Sequence, residues 1–393
     1  MMLVSLRRAA HPLVAFGETV TRNSVYRVAL LLLALKFVLV LAAASSMAGG
    51  VEGALCQWDC SWYLSIINHG YDVEALAIPG QDQANWPFFP LYPAISAIVA
   101  RLTGFSGFWS GTLVSFACSV GIIIVSILYR IKTRPVSNPE NWTIVLILYP
   151  FSLYFFFVYT ESIYAFLQLL LLYNFERKAQ TGTVISASLL AVTRPTGVLS
   201  FPFIALVLLY RLWQSLRAGS DIRAKLYSVS NQIFLLLLMP LCLALFMLYL
   251  YSLVGDPLAF AHVEISWGRV FNNPLKQIWW ALNRNDLGAV SQGNSASCEA
   301  LVALLGLGVA VWLAKRRHWF ESWMLAATIL LTFSSGRDST LRYTLANPIF
   351  LLGVGDCVDW IRPFSIRLLL ALMALLVQAY LFVDWFHHSR LLM

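Results

Sequence analysis

The residues best able to do chemistry in this chain sit in short polar interruptions of apolar sequence. The first runs Cys-Gln-Trp-Asp-Cys-Ser-Trp-Tyr-Leu-Ser-Ile-Ile-Asn-His-Gly-Tyr-Asp, from Cys56 to Asp72, and sets Asp59 beside Trp58 on a short interfacial helix that also holds Trp62 and Tyr63. A carboxylate held at a membrane surface can accept the proton of an incoming hydroxyl. The same pattern also describes an aromatic belt with a solvated carboxylate. The second interruption is Tyr159-Thr160-Glu161-Ser162. Ionisable groups at membrane depth are costly and are found paired or functional, so Glu161 reads either as a bonding partner for a neighbouring helix or as a participant in the reaction. In Thr193-Arg194-Pro195-Thr196-Gly197, Arg194 adjoins a breaker pair; it is a snorkelling side chain at a tight turn or a phosphate ligand. Gly255-Asp256-Pro257, His262, Trp267 and Arg269 follow, then Arg337, Asp338, Arg342 and Tyr343.

The elements that must position these groups follow from composition. Of 393 residues, 59% are hydrophobic and 12% charged, whereas a globular domain carries roughly 25% charged residues. A soluble protein is excluded, because the apolar residues form runs near the ~20 needed to cross a bilayer. Such runs fall near 25–47, 109–129, 142–159, 161–175, 182–193, 196–213, 229–253, 299–314, 319–334, 343–361 and 366–385, which predicts an all-α polytopic protein of about eleven transmembrane helices in one integral membrane domain over 1–393. No small-residue cleavage site follows the first run, so it reads as a retained helix. A further stretch, 86–102, opens with Trp-Pro-Phe-Phe-Pro-Leu-Tyr-Pro, a poor start for a spanning helix.

Charge orders these runs. With the N-terminus inside and 86–102 not crossing, the cytoplasmic segments hold about two thirds of the 27 Lys and Arg, as the positive-inside rule requires. A full crossing by 86–102 inverts that bias, so it is expected to be re-entrant or juxtamembrane. The net charge of +8 is therefore a topology signal, and no nucleic-acid partner is implied. Two long segments, 48–108 and 254–298, then lie outside, rich in Trp, Tyr, Asn, Asp and Gly. The chemistry-bearing residues gather on that same face, which points to an external active site.

A carboxylate near several arginines, with almost no soluble domain, suits group transfer from a lipid-anchored phosphate donor. The lipid chain would lie among the helices and its phosphate would meet guanidinium groups, which bind two oxygens at once. A sugar phosphate leaves as a stable anion, so one base suffices and the paired acid of a glycosidase is not needed. The competing classes are a lipid or glycolipid transporter or flippase, which expects coupling residues near mid-bilayer, and a non-catalytic membrane partner of another enzyme.

Trp58-Asp59, Asn68-His69-Gly70-Tyr71 and Phe88-Phe89-Pro90-Leu91-Tyr92-Pro93 resemble the first-loop signature of the PIG-V type glycosylphosphatidylinositol mannosyltransferases and their prokaryotic relatives. The resemblance continues through Tyr149-Pro150-Phe151-Ser152, Tyr159-Thr160-Glu161-Ser162, Thr193-Arg194-Pro195-Thr196-Gly197, Gly255-Asp256-Pro257-Leu258-Ala259-Phe260 and Arg342-Tyr343, in order along nearly the whole chain. It implies a GT-C fold, a polyprenyl or dolichyl phosphate mannose donor, inversion at the anomeric carbon and Asp59 as catalytic base. Trp58, His69, Tyr71, Glu161, Arg194, His262, Arg337, Arg342 and Tyr343 are the expected substrate-binding residues. The acceptor is a free hydroxyl on a lipid, a glycan or a protein.

The shortness of the chain favours a prokaryotic relative in the cytoplasmic membrane; the endoplasmic reticulum is the alternative. No cofactor is expected, the lipid-linked sugar phosphate being a substrate. No metal is expected either, since a lone Asp59 is a poor cation site and a monophosphate donor needs no chelating ion. Cys56 and Cys60 flank the Trp-Asp pair, and the four-residue spacing leaves open a disulfide between them or from either to Cys298.

Overall fold

A computed structural model of the chain describes residues 24–388 and 392, apart from 79–80, 135–137, 218–221, 293–294 and 338. Asp338 thus lies outside the described residues. The architecture is all-α except for a small antiparallel hairpin, Leu76–Ile78 against Gln81–Gln83. Among the described residues, six helical segments are long and apolar enough to cross a membrane: Ser24–Ser45, Gly107–Thr133, Pro195–Gln214, Val229–Val254, Ala296–Lys315 and Phe364–Phe386.

Each of the eleven apolar runs is helical, but several helices are short. Pro139–Leu148, Gln180–Ala191, Trp319–Ser335 and Pro348–Trp360 have 10, 12, 17 and 13 residues. At about 1.5 Å per residue, none matches a hydrocarbon core of roughly 30 Å. The cause is local chemistry that an apolar run conceals. Asn-Pro pairs start three helices, with the side chains of Asn138, Asn273 and Asn347 accepting from backbone N–H groups of the first turn, a capping arrangement that leaves Pro at the first helical position. The 86–102 stretch holds a helix only from Leu91 to Thr103, too short to span.

The break that matters most for the site follows Leu148. Pro150–Phe156 forms a 3₁₀ turn and Glu161–Glu176 leaves it at 104°. Breaking a helix inside an apolar bundle strands carbonyls that must be satisfied. Lys36, from Ser24–Ser45, donates to Ile147 O at 2.8 Å and to Ser152 Oγ at 3.0 Å. Gln378, from Phe364–Phe386, donates to Tyr149 O at 2.6 Å. Gly111 lets the turn approach closely, since a Cβ there would lie 2.7 Å from Val158 Cγ1.

The other end of the bundle is tied by buried ion pairs. Arg130 meets Asp356 at 2.8 Å and Asp359 at 2.6 Å, while Arg134 meets Asp356 at 2.8 Å and Glu321 at 2.7 Å. Tyr129 donates to Glu321, and the Arg130 guanidinium lies over the Trp142 ring. Arg130 and Arg134 are buried and bind three helices together.

Candidate active site

Asp59 stands at the apex of an elbow between Gly50–Leu55 and Cys60–His69. A disulfide joins Cys56 to Cys60 across that apex, and Trp58 between them has φ of +49°, a left-handed backbone uncommon for any side chain larger than hydrogen. Tyr159 Oη donates to Gln57 O at 2.8 Å and accepts from Asp59 N–H at 3.1 Å. The broken segment that carries Tyr159 is therefore stitched to the elbow that carries Asp59.

Arg342, on the short helix Thr340–Leu345, joins two carboxylates. Its Nη1 donates to Asp59 Oδ2 at 2.8 Å, and its Nε lies 3.2 Å from Glu161 Oε1. Arg194 Nη2 approaches the same Glu161 oxygen at 2.5 Å, and its Nη2 and Nε donate to Thr160 Oγ1 at 2.6 and 2.9 Å. Tyr343 lies against both guanidiniums, at 4.8 Å from Arg194 and 5.1 Å from Arg342, a cation–π arrangement that stabilises desolvated charge. Two cations thus balance two carboxylates, which burial requires. The exposure is uneven: the side chains of Glu161, Arg342 and Arg194 are 3, 5 and 9% exposed, that of Asp59 32%.

The Arg194 turn depends on Gly197, where a Cβ would sit 1.9 Å from Leu190 O. Only a glycine fits, so the Pro-Thr-Gly sequence after Arg194 is what lets its guanidinium turn inward.

A polar cavity of about 260 Å³ is lined by Arg269, Asn272, Gln277, Trp280, Ser335, Gly336 and Arg337, among others. Arg269 pairs with Glu264 at 2.8 Å and feels the charge of Asp59. Burial lifts the Glu264 carboxyl above its ordinary value although Arg269 pulls the other way. Arg337 Nε lies 3.5 Å from Glu299. Among the described residues, no three His, Cys, Asp or Glu side chains are arranged to hold a metal ion.

The structure brings Asp59, Trp58, Glu161, Arg194, Arg342 and Tyr343 together, and puts Arg337 in the cavity that Arg269 also lines. It sets the other three elsewhere. His69 is exposed at the end of its helix and makes no hydrogen bond to the cluster. Tyr71 donates to Phe88 O at 2.5 Å and packs on Phe246 and Tyr249, so it pins the loop. His262 is exposed, its Nδ1 2.7 Å from Asp256, and this hydrogen bond holds the Asp256 carboxyl below its usual value. Sequence reasoning missed Thr160, Glu264 and the part played by Arg269. Thr160 was within reach, being the residue just before Glu161.

The chain has the GT-C fold. The crystal structure of ArnT from Cupriavidus metallidurans bound to undecaprenyl phosphate superposes with a TM-score of 0.50 at 13% identity, over 88% of this chain and 63% of that one. The Archaeoglobus fulgidus oligosaccharyltransferase in complex with zinc and sulfate gives 0.45 at 14% identity, over 92% and 53%. The S. cerevisiae protein O-mannosyltransferase Pmt1–Pmt2 complex bound to the sugar donor gives 0.38 at 14%, over 63% and 36%. This chain therefore spans less than two thirds of the length of each. No family model and no curated protein matches the sequence.

Proposed function

We propose that this protein is a membrane glycosyltransferase that moves a sugar, mannose by the resemblance of its motifs, from a polyprenyl or dolichyl phosphate to an acceptor hydroxyl at the outer face of a prokaryotic cytoplasmic membrane. The observation that carries this reading is the Asp59–Arg342 pair: a partly exposed carboxylate anchored by a buried guanidinium at 2.8 Å. Arg342 engages Oδ2, and Oδ1 takes no hydrogen bond from the described residues. Oδ1 is the atom we assign to receive the acceptor proton.

In the proposed step the acceptor hydroxyl gives its proton to Asp59 as its oxygen bonds to the anomeric carbon. The bond from that carbon to the phosphate oxygen breaks, and its electron pair leaves with the phosphate. Attack opposite the leaving group inverts the centre. Arg269, which feels the charge of Asp59, and Arg337 line one cavity and offer the positive charge that a departing phosphate needs. Glu161 touches neither reactant in this scheme; it keeps Arg342 and Arg194 in place. The acceptor is a lipid, glycan or protein hydroxyl, and membrane lipids surround the chain.

The flippase reading looks for coupling charges at mid-depth. Lys36, a charge near the middle of the spanning helix Ser24–Ser45, is bonded to Ile147 O and Ser152 Oγ and serves as a helix terminator. The test is transfer itself: protein in nanodiscs with polyprenyl phosphate mannose and a panel of lipids, glycans and peptides, read by mass spectrometry. Transfer that disappears in Asp59→Asn while undecaprenyl phosphate still binds supports the reading. Absence of transfer to any acceptor, with donor binding verified, overturns it.

A further inference from the structure

We propose that the Cys56–Cys60 disulfide is a positioning device for Asp59, so that the oxidised chain is the one that turns over; this rests on Asp59 being the base. The bridge, with Cα atoms 5.1 Å apart, joins the residue that ends Gly50–Leu55 to the first residue of Cys60–His69. It encloses just Gln57, Trp58 and Asp59. Within that ring Trp58 keeps φ of +49°, a conformation that an unconstrained aromatic residue leaves readily. The peptide following Trp58 leads into Asp59, so a return of Trp58 to negative φ rotates the Asp59 carboxylate relative to Arg342.

Other contacts also hold the elbow: Tyr159 Oη bonds to Gln57 and Asp59, Trp385 Nε1 donates to Leu55 O at 3.2 Å, and across the turn Cys60 N–H donates to Gln57 O at 3.1 Å and Ser61 Oγ to Trp58 O at 3.0 Å. The Tyr159 and Trp385 bonds fix backbone positions on either side of the apex, and the exposed Ser61 Oγ bond to Trp58 O is a weak hold on the turn beside a covalent bridge. Cys60 is buried, whereas Cys56 is partly exposed, so a thiolate reaches the bridge at the Cys56 sulfur. Reduction by a dithiol breaks the S–S bond, gives two thiols, and converts the dithiol to its own disulfide. The Arg269 and Arg337 cavity is built on other segments, so donor binding is not expected to change.

The test uses the full chain in nanodiscs with polyprenyl phosphate mannose, before and after dithiothreitol, with cleavage verified by intact mass. The expected result is a fall in kcat of about tenfold or more with KM for the donor unchanged. Cys56→Ser/Cys60→Ser should match the reduced wild type and ignore dithiothreitol; if this variant does not fold, reduction of the assembled protein carries the test alone. Unchanged kcat after verified cleavage overturns the inference, as does a rise in KM that accompanies the loss, which marks general loosening. A second readout needs no turnover: a thermal double-mutant cycle with Asp59→Asn and Arg342→Gln, in each redox state. Coupling lost on reduction supports the positioning role even where transfer is undetectable, in which case the transferase reading alone falls. Coupling that survives reduction overturns the positioning role.

Discussion

Arg342 Nη1 donates to Asp59 Oδ2 at 2.8 Å, joining positions 283 residues apart in the chain. The same guanidinium reaches Glu161 through Nε, so one buried cation is shared between a half-wet carboxylate and a dry one. The dry carboxylate is also held by Arg194, which leaves Arg342 free to orient Asp59 without leaving a buried negative charge uncompensated.

Asp59→Asn is the direct test of base chemistry. The amide keeps an oxygen for Arg342 but cannot take a proton. Transfer should fall by roughly 10²- to 10⁴-fold, while thermal stability shifts by no more than about 1 kcal/mol because the site is partly exposed. Steady-state turnover beside a melting curve decides it; a variant that keeps more than a tenth of wild-type kcat argues against the assignment.

Glu161→Gln removes the negative charge that both buried arginines share. A loss of about 3–5 kcal/mol in unfolding free energy is expected, and Arg194→Lys should not restore normal behaviour, because a single ammonium cannot reach Thr160 and Glu161 with the same fork and stack on Tyr343. Denaturant unfolding in detergent micelles measures both. A Glu161→Gln protein as stable as wild type would show that the cluster does not need the charge.

Lys36→Met leaves Ile147 O without its ammonium donor inside the bundle. Ile147 O keeps the longer bonds from Gln378 Nε2 at 3.3 Å and Ser152 Oγ at 3.5 Å, so the cost should be about 1.5–3 kcal/mol for the charge-assisted bonds lost, and Lys36→Gln should recover part of it. Equal stability of all three proteins would dismiss the terminator role.

Asp286 caps the start of Ala296–Lys315, accepting from the Ala296 and Ser297 N–H groups and from Ser295 Oγ. Ser297 N–H above all holds its carboxyl down at about 2. Because the folded value lies below the unfolded one, the cap stabilises fully above about pH 4 and is lost as pH falls through about 2. The gap in melting temperature between wild type and Asp286→Asn should be constant from pH 8 to pH 5 and shrink only in strong acid. A gap that closes near neutrality contradicts this.

The membrane class was legible from the chain alone, since runs such as 25–47 and 366–385 have no other stable home than a bilayer. So were the polar interruptions at Asp59, Glu161, Arg194 and Arg342, because a charge amid apolar residues stands out at any position. The breaks were less legible. The 142–159 run looks continuous, yet Pro150 stops one helix and the next leaves at 104°, a geometry that depends on Lys36 and Gln378 arriving from Ser24–Ser45 and Phe364–Phe386.

Composition and order along the chain determined that this is an all-α membrane protein with a few costly ionisable groups, because hydrophobic length and the rarity of charge are one-dimensional properties. Which groups meet was decided by tertiary structure. His69 and Tyr71 belong to the same loop as Asp59 yet make no bond to the cluster, while Arg342 reaches Asp59 across most of the chain. A pair potential that acts over a few ångströms depends on where the backbone has been folded, and sequence separation carries none of that information.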